Sequence, residues 1–158
     1  MNGIRAALLG WGVVALAAMQ VPAGAADYTV HLVTEDEQGR FQFQPAIVYA
    51  DVGDTVRFVP DDDMHAVKSV PGMLPEGAVP WRGRMGETIS VRLDRPGVYG
   101  VKCRSGYELG MVGLIVVGSD PPNWQQAQAV RHPARASQTF AGLFDEAGCH
   151  LSLPECKH

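Results

Sequence analysis

Between residues 27 and 118 apolar and polar positions alternate in short runs, and turn residues break the runs at close intervals. The alternation predicts strands at Tyr28–Val33, Ala46–Ala50, Asp54–Val59, Glu87–Leu93, Val98–Lys102 and Met111–Val117. In the first, Val30 and Leu32 face one way while Thr29, His31 and Val33 face the other. In the third, Val56 and Phe58 oppose Thr55, Arg57 and Val59. Pro60, Pro71-Gly72, Glu76-Gly77 and Pro96-Gly97 supply the punctuation. Many short strands separated by turns predict an all-β fold, an antiparallel sandwich or Greek-key barrel, and about 90 residues are enough for one such core.

Past Gly118 the period changes. Asp120-Pro121-Pro122 reads as a helix start, with an acidic cap and proline in the first turn. Trp124, Ala127 and Val130 then share a face. Pro133 interrupts, and Ala136, Phe140, Leu143, Phe144 and Ala147 form a second apolar stripe that ends before Gly148. These stripes predict two helices packed on the sandwich. No internal repeat or low-complexity stretch is present.

The beginning of the chain reads differently. Arg5, an apolar run from Ala6 to Val21 and the small-residue site Ala23-Gly24-Ala25 have the form of a secretory leader. The run is nearly long enough for a membrane anchor, but its Gly and Pro content and the Ala-Gly-Ala site favour cleavage. A mature, exported chain starting at Ala26 is expected, and no later segment is long and apolar enough to span a membrane.

Charge narrows the range of partners. The chain has 13 Lys and Arg against 17 Asp and Glu, a formal net charge of −4, and loss of Arg5 with the leader makes it more negative still. That balance argues against a nucleic-acid partner, which calls for a basic face. Three cysteines are an odd number for an exported protein. Cys149 and Cys156 lie close together and invite a disulfide. They also share the tail with His150 and His158, a set that would suit Cu(I) or Zn. The odd total and the exported context favour the disulfide, and Cys103 is then the unpaired thiol.

Candidate chemistry is concentrated in Cys103-Arg-Ser-Gly-Tyr-Glu-Leu-Gly-Met111, with His65 upstream in Asp-Met-His-Ala-Val. A thiolate and a thioether on one loop, joined by a distant imidazole, form the soft donor set that suits copper moving between its two oxidation states. Such sites add a second imidazole, expected three residues after the cysteine. That position is Gly106. Glu108 is a candidate substitute on the same loop, although oxygen suits Cu(II) better than Cu(I). Met64 is a further soft group nearby. His31, His132, His150 and His158 are expected to be solvated surface residues.

The order of motifs from about Ala26 to Ala147 resembles the pseudoazurins, small periplasmic cupredoxins. The resemblance rests on Ala26-Asp-Tyr-Thr-Val-His31, Phe43-Gln-Pro45, Gly53-Asp-Thr-Val56, Gly72-Met-Leu-Pro75 and Pro96-Gly-Val-Tyr-Gly-Val-Lys-Cys103. Tyr107, Gly110-Met-Val-Gly113 and Val117-Gly118, followed by two short helices, complete it. It implies a cupredoxin Greek-key β-sandwich with two short C-terminal helices. It also implies one copper per chain, held by His65, Cys103 and Met111, and one-electron shuttling to a redox partner such as nitrite reductase or a cytochrome. Two positions depart from the family pattern: Gly106 stands where the second histidine ligand belongs, and Ala66 where an asparagine usually supports the ligand loop.

The expected organisation is a leader over residues 1–25, a cupredoxin domain over 26–118, a helical hairpin over 119–148 and a Cys/His tail over 149–158. The expected protein is a periplasmic monomer and an electron carrier, without a membrane segment in its mature form. Copper delivery or sensing through an open site is the alternative, as is an interaction module whose metal site has decayed. No acid, base or substrate pocket is visible that would suggest an enzyme.

Overall fold

The computed structural model describes residues 24–34, 41–154 and 156. The expected leader, apart from residues 24 and 25, lies outside them, as does His158.

Eight strands build two four-stranded sheets. They are β1 (Asp27–Val33), β2 (Gln42–Gln44), β3 (Ile47–Ala50), β4 (Thr55–Pro60), β5 (Val67–Ser69), β6 (Ile89–Arg92), β7 (Gly97–Cys103) and β8 (Val112–Val117). One sheet runs β2-β1-β4-β6 and the other β3-β8-β7-β5. The all-β sandwich expected from the sequence is the fold. Its sheets are not purely antiparallel, however: β1 lies parallel to β4 and β3 parallel to β8. Both pairs join strands far apart in the chain, where a crossover replaces the hairpin that an antiparallel pair could use.

The six expected strands appear with their ends moved by a residue or two. The expected Glu87–Leu93 shortens to Ile89–Arg92, because Glu87 closes a turn by accepting the Arg84 N–H on its carboxylate at 2.6 Å. Strands β2 and β5 were not expected. Each has three residues, too few for a period of two to register.

The alternation defines two cores. Val30, Leu32, Phe43, Val56, Phe58, Leu93, Tyr99, Val101, Ile115 and Val117 fill the space between the sheets. On the other side of the second sheet, Val98, Val112, Leu114 and Val116 meet the helices α1 (Trp124–Gln128) and α2 (Ala134–His150). Strand β8 is therefore buried on both faces. The stripe Ala136, Phe140, Leu143, Phe144 and Ala147 is the buried face of α2. Trp124 and Ala127 are buried on α1, whereas Val130 lies beyond its end.

Two details of the helices differ from expectation. Helix α1 begins three residues past Pro121, and Asp120 does not cap it. Its N-cap residue, Asn123, instead turns its side chain onto β7, accepting from Val98 N–H at 2.7 Å and donating to Val98 C=O at 2.8 Å. Helix α2 continues through Gly148 to His150. The indole of Trp124 lies 3.4 Å from where a Cβ at position 148 would stand, so this glycine serves close packing and does not end the helix. Cys149 and Cys156 are joined by a disulfide, and His150 stacks on Tyr49 at 3.9 Å.

At the opposite margin, Asp54 ties the first strand to a turn. Its carboxylate accepts the Ala26 N–H at 2.7 Å and the Asp51 N–H at 2.8 Å. These bonds, that from Asp51 foremost, hold the Asp54 carboxyl below the ordinary aspartate value. A depressed carboxylate stabilises the fold above its unfolded-state pKa of about 3.9, and the contribution is lost as pH falls through the folded value. Asp54→Asn should therefore cost about 1 kcal/mol at pH 7, the worth of a typical hydrogen bond, and progressively less below pH ~4. Thermal unfolding across pH measures this, and a difference independent of pH would exclude the carboxylate's role.

Candidate metal centre

The site lies at one end of the sandwich, where β5 and β8 both pair with β7. The β5–β7 register sets Val67 opposite Cys103, which brings His65, two residues upstream, alongside the cysteine. Arg104 N–H donates to Ala66 C=O at 2.8 Å and fastens the two segments. Cys103 N–H donates to Met111 C=O at 3.0 Å and closes the loop between β7 and β8.

His65 and Cys103 meet: His65 Nδ1 is 3.3 Å from Cys103 Sγ, with both side chains buried. The imidazole is oriented from behind. Thr34 donates its hydroxyl hydrogen to Asp62 Oδ2, and its Oγ1 lies 2.9 Å from His65 Nε2. That oxygen has already spent its proton, so it can only accept. The network therefore assigns the ring hydrogen to Nε2 and leaves the Nδ1 lone pair facing the sulfur. The Thr34 hydroxyl, and after it the Met64 N–H, hold the Asp62 carboxyl below the ordinary value. Cys103 Sγ has a further neighbour in Ser105 Oγ at 3.4 Å, and Ser105 donates to Met64 C=O at 2.6 Å.

Met111 is fully buried, and its side chain covers Gly106. A Cβ at position 106 would stand 2.7 Å from Met111 Cβ and 2.8 Å from Sδ. The Gly106 backbone, at φ −100° and ψ 4°, is open to any residue type. Glycine is thus required here by the methionine and not by the chain conformation. Gly110 is different. It caps the 3-10 turn Tyr107–Leu109 at φ 89°, and a Cβ there would meet Thr139 Oγ1 at 2.8 Å and the Arg135 carbonyl at 3.3 Å. The loop rests directly on α2.

Several candidates stand apart from the pair. Glu108 is exposed on the 3-10 turn, and among the described residues it makes no hydrogen bond or ion pair with His65 or Cys103. Met64 is exposed, and His31 is held at the surface by Asp61 at 3.1 Å. His132, expected to be solvated, is half-buried against Phe140, with Nδ1 2.8 Å from Tyr107 Oη. Burial, and then Lys102, keep it below the ordinary histidine value. Among the described residues no three His, Cys, Asp or Glu side chains cluster as a metal site. Thr34 and Ser105 escaped the sequence reading, since nothing near Thr34 in the chain signals a partner 31 residues away.

The donor set fits a soft ion. Metal bonds of about 2.0–2.3 Å to nitrogen and sulfur can share one ion across a 3.3 Å separation. The imidazole nitrogen and the thiol face each other, and the buried thioether of Met111 lies at the far end of the loop that Cys103 begins.

The family profile described as copper binding proteins of the plastocyanin/azurin family matches residues 29–118. A pseudoazurin of Paracoccus pantotrophus is 38% identical over 124 residues, covering 78% of this chain and 86% of that protein. The solved pseudoazurin of Methylobacterium extorquens AM1 superposes with a TM-score of 0.73 at 34% identity, covering 77% of this chain and 98% of the other. That of Hyphomicrobium denitrificans gives 0.72 at 32%, covering 76% and 97%. The chain belongs to this cupredoxin family of copper proteins, and within it to the pseudoazurins. Copper is the cofactor of the family, and electron transfer between redox partners is its activity.

Restoring the imidazole tests the packing at Gly106. In metal-free protein both Gly106→Ala and Gly106→His should lower stability by ~1–3 kcal/mol, the cost of overpacking against Met111. With Cu(II), the visible thiolate band should strengthen and shift relative to the parent in Gly106→His and not in Gly106→Ala. Denaturant unfolding and absorption spectra measure the two effects, and an unaltered stability in both variants would contradict the packing.

Proposed function

We propose that the chain is a periplasmic, monomeric one-electron carrier whose copper is held by His65, Cys103 and Met111, with no donor side chain at position 106. The observation that carries this reading is the buried approach of His65 Nδ1 to Cys103 Sγ, with Thr34 fixing the nitrogen's lone pair toward the sulfur. Copper, when bound, supplies a centre that passes one electron at a time. The residues of the chain do the rest. Thr34 and Asp62 orient the imidazole, and such supporting bonds sharpen a ligand's direction and basicity. Burial of His65, Cys103 and Met111 keeps bulk water from the donors. The half-exposed ring of Phe41 stands edge-on to His65 at 6.2 Å and connects the imidazole to the surface. In the absence of an imidazole at 106, that edge is the proposed exit toward a partner such as nitrite reductase or a cytochrome.

Three donors leave room for a small exogenous ligand, which carries a cost in speed. A donor set without a second imidazole would suit the two oxidation states less evenly, so electron exchange through His65, Cys103 and Met111 would be slower. A second reading, Cu(I) buffering or delivery, is favoured by the Met111 thioether lying over Gly106, which makes the site softer.

Titration of the mature protein with Cu(II), alone and with added imidazole, tests these readings. The expected result is a thiolate-to-copper band at one equivalent, strengthened and shifted by imidazole and absent in Cys103→Ser. Cu(I) uptake without any band would transfer the assignment to delivery. No copper uptake in either state would sink both.

Export is supported by the leader pattern and by the Cys149–Cys156 disulfide. It is supported too by Asp54, because cleavage after Ala25 would set a terminal ammonium where the Ala26 N–H now stands 2.7 Å from that carboxylate. N-terminal sequencing of protein recovered from a periplasmic fraction should begin at Ala26. Retention of residues 4–25 would refute cleavage.

A further inference from the structure

Four cations share one face of the second sheet. The β5–β7 register sets Lys68 directly opposite Lys102, and an isolated bridge sets Arg82 opposite Lys68 on the other side. Arg104 follows Lys102 by two residues. All four line a single concavity of about 240 Å³ together with Tyr107, whose ring lies 3.9 Å beneath the Lys102 ammonium. Among the described residues none of the four forms an ion pair. Residues scattered from 68 to 104 in the chain are gathered by folding into this one concavity. Asp61, Asp62 and Asp63 fall on the segment before His65, and of the nearby carboxylates Glu108 alone acts on Lys102.

Like charges directly opposite one another on neighbouring strands destabilise a sheet. This sheet carries two such pairs in succession, Arg82–Lys68 and Lys68–Lys102. A multivalent anion would turn the repulsion into attraction. Two guanidinium groups offer paired N–H donors that match oxyanion geometry, and two ammonium groups add point charges. The concave form suits a small ion that all four can reach, more than the flat surface of an acidic protein.

We propose that Lys68, Arg82, Lys102 and Arg104 form a binding site for a free tetrahedral oxyanion of the inorganic phosphate class. Because Lys102 and Arg104 flank Cys103 in the chain, an occupant would add negative charge on the opposite face of the strand from the thiolate and would favour the more highly charged Cu(II) state. This second consequence rests on the electron-carrier reading; the binding itself does not.

The test is a titration of the purified mature protein with inorganic phosphate at pH 7 and constant ionic strength, followed by amide NMR. Saturable one-to-one shifts are expected at residues 68, 82, 102, 104 and 107. Lys68→Gln with Arg82→Gln should weaken binding at least about tenfold, a loss of ~1.4 kcal/mol. Phosphate should also raise the thermal midpoint of the parent protein and not of the double variant. The variant should itself fold with an equal or higher midpoint, since it lacks the repulsion; if it does not fold, Lys68→Gln alone serves. Shifts that do not saturate, that spread over the surface, or that survive the substitutions would mean charge screening or a protein partner, and would overturn the site. In copper-loaded protein, phosphate should lower the reduction potential of the parent and leave that of the variant unchanged. Saturable binding with an unmoved potential would overturn the coupling alone.

Discussion

The position of Cys103 depends on β7 being paired on both sides. Hydrogen bonding to β5 carries His65 to the cysteine, and hydrogen bonding to β8 places Met111 at the end of the same loop. A histidine from a distant segment thus meets the cysteine at the head of the β7–β8 loop because one strand is central in its sheet. The register cannot slip cheaply. A one-residue shift would turn Val101 and Cys103 away from the inner core and bring Lys102 into it. The burial that stabilises the sandwich and the geometry of the site therefore have one cause.

Much of this was legible in the sequence, for identifiable reasons. Val30 with Leu32 and Val56 with Phe58 alternate over enough residues to announce a strand and its buried face, and the α2 stripe does the same at helical spacing. The candidate donors Cys103 and Met111 were legible because they lie on one loop. The two three-residue strands were not, and β5 is the one that delivers His65. Asn123 reads locally as a helix cap, yet it serves as a bracket to β7, a contact across 25 residues that no local signal contains. Thr34 was invisible for the same reason, although it decides which nitrogen of His65 is free.

The departure at Gly106 acquires a physical form in the structure. The sequence records a missing imidazole. The fold adds that the Met111 side chain lies where a Cβ would stand, while the backbone at 106 stays ordinary. A glycine tolerated by the backbone and required by a neighbour is coupled to that neighbour, so positions 106 and 111 form one unit. Ala66 belongs to the same pattern. It contributes a backbone carbonyl to Arg104 and no side-chain hydrogen bond, so the loop is held here by main chain alone.

The seating of Gly110 on α2 bears on modularity. Ligand loops that join two strands at the end of a sandwich are natural units for grafting between scaffolds. Here the loop backbone rests on Thr139 and Arg135 of a helix outside the sandwich. A transplanted loop of another length would have to clear that helix, and this loop moved to a two-sheet scaffold would lose its floor. The portable unit is the loop together with the first turns of α2.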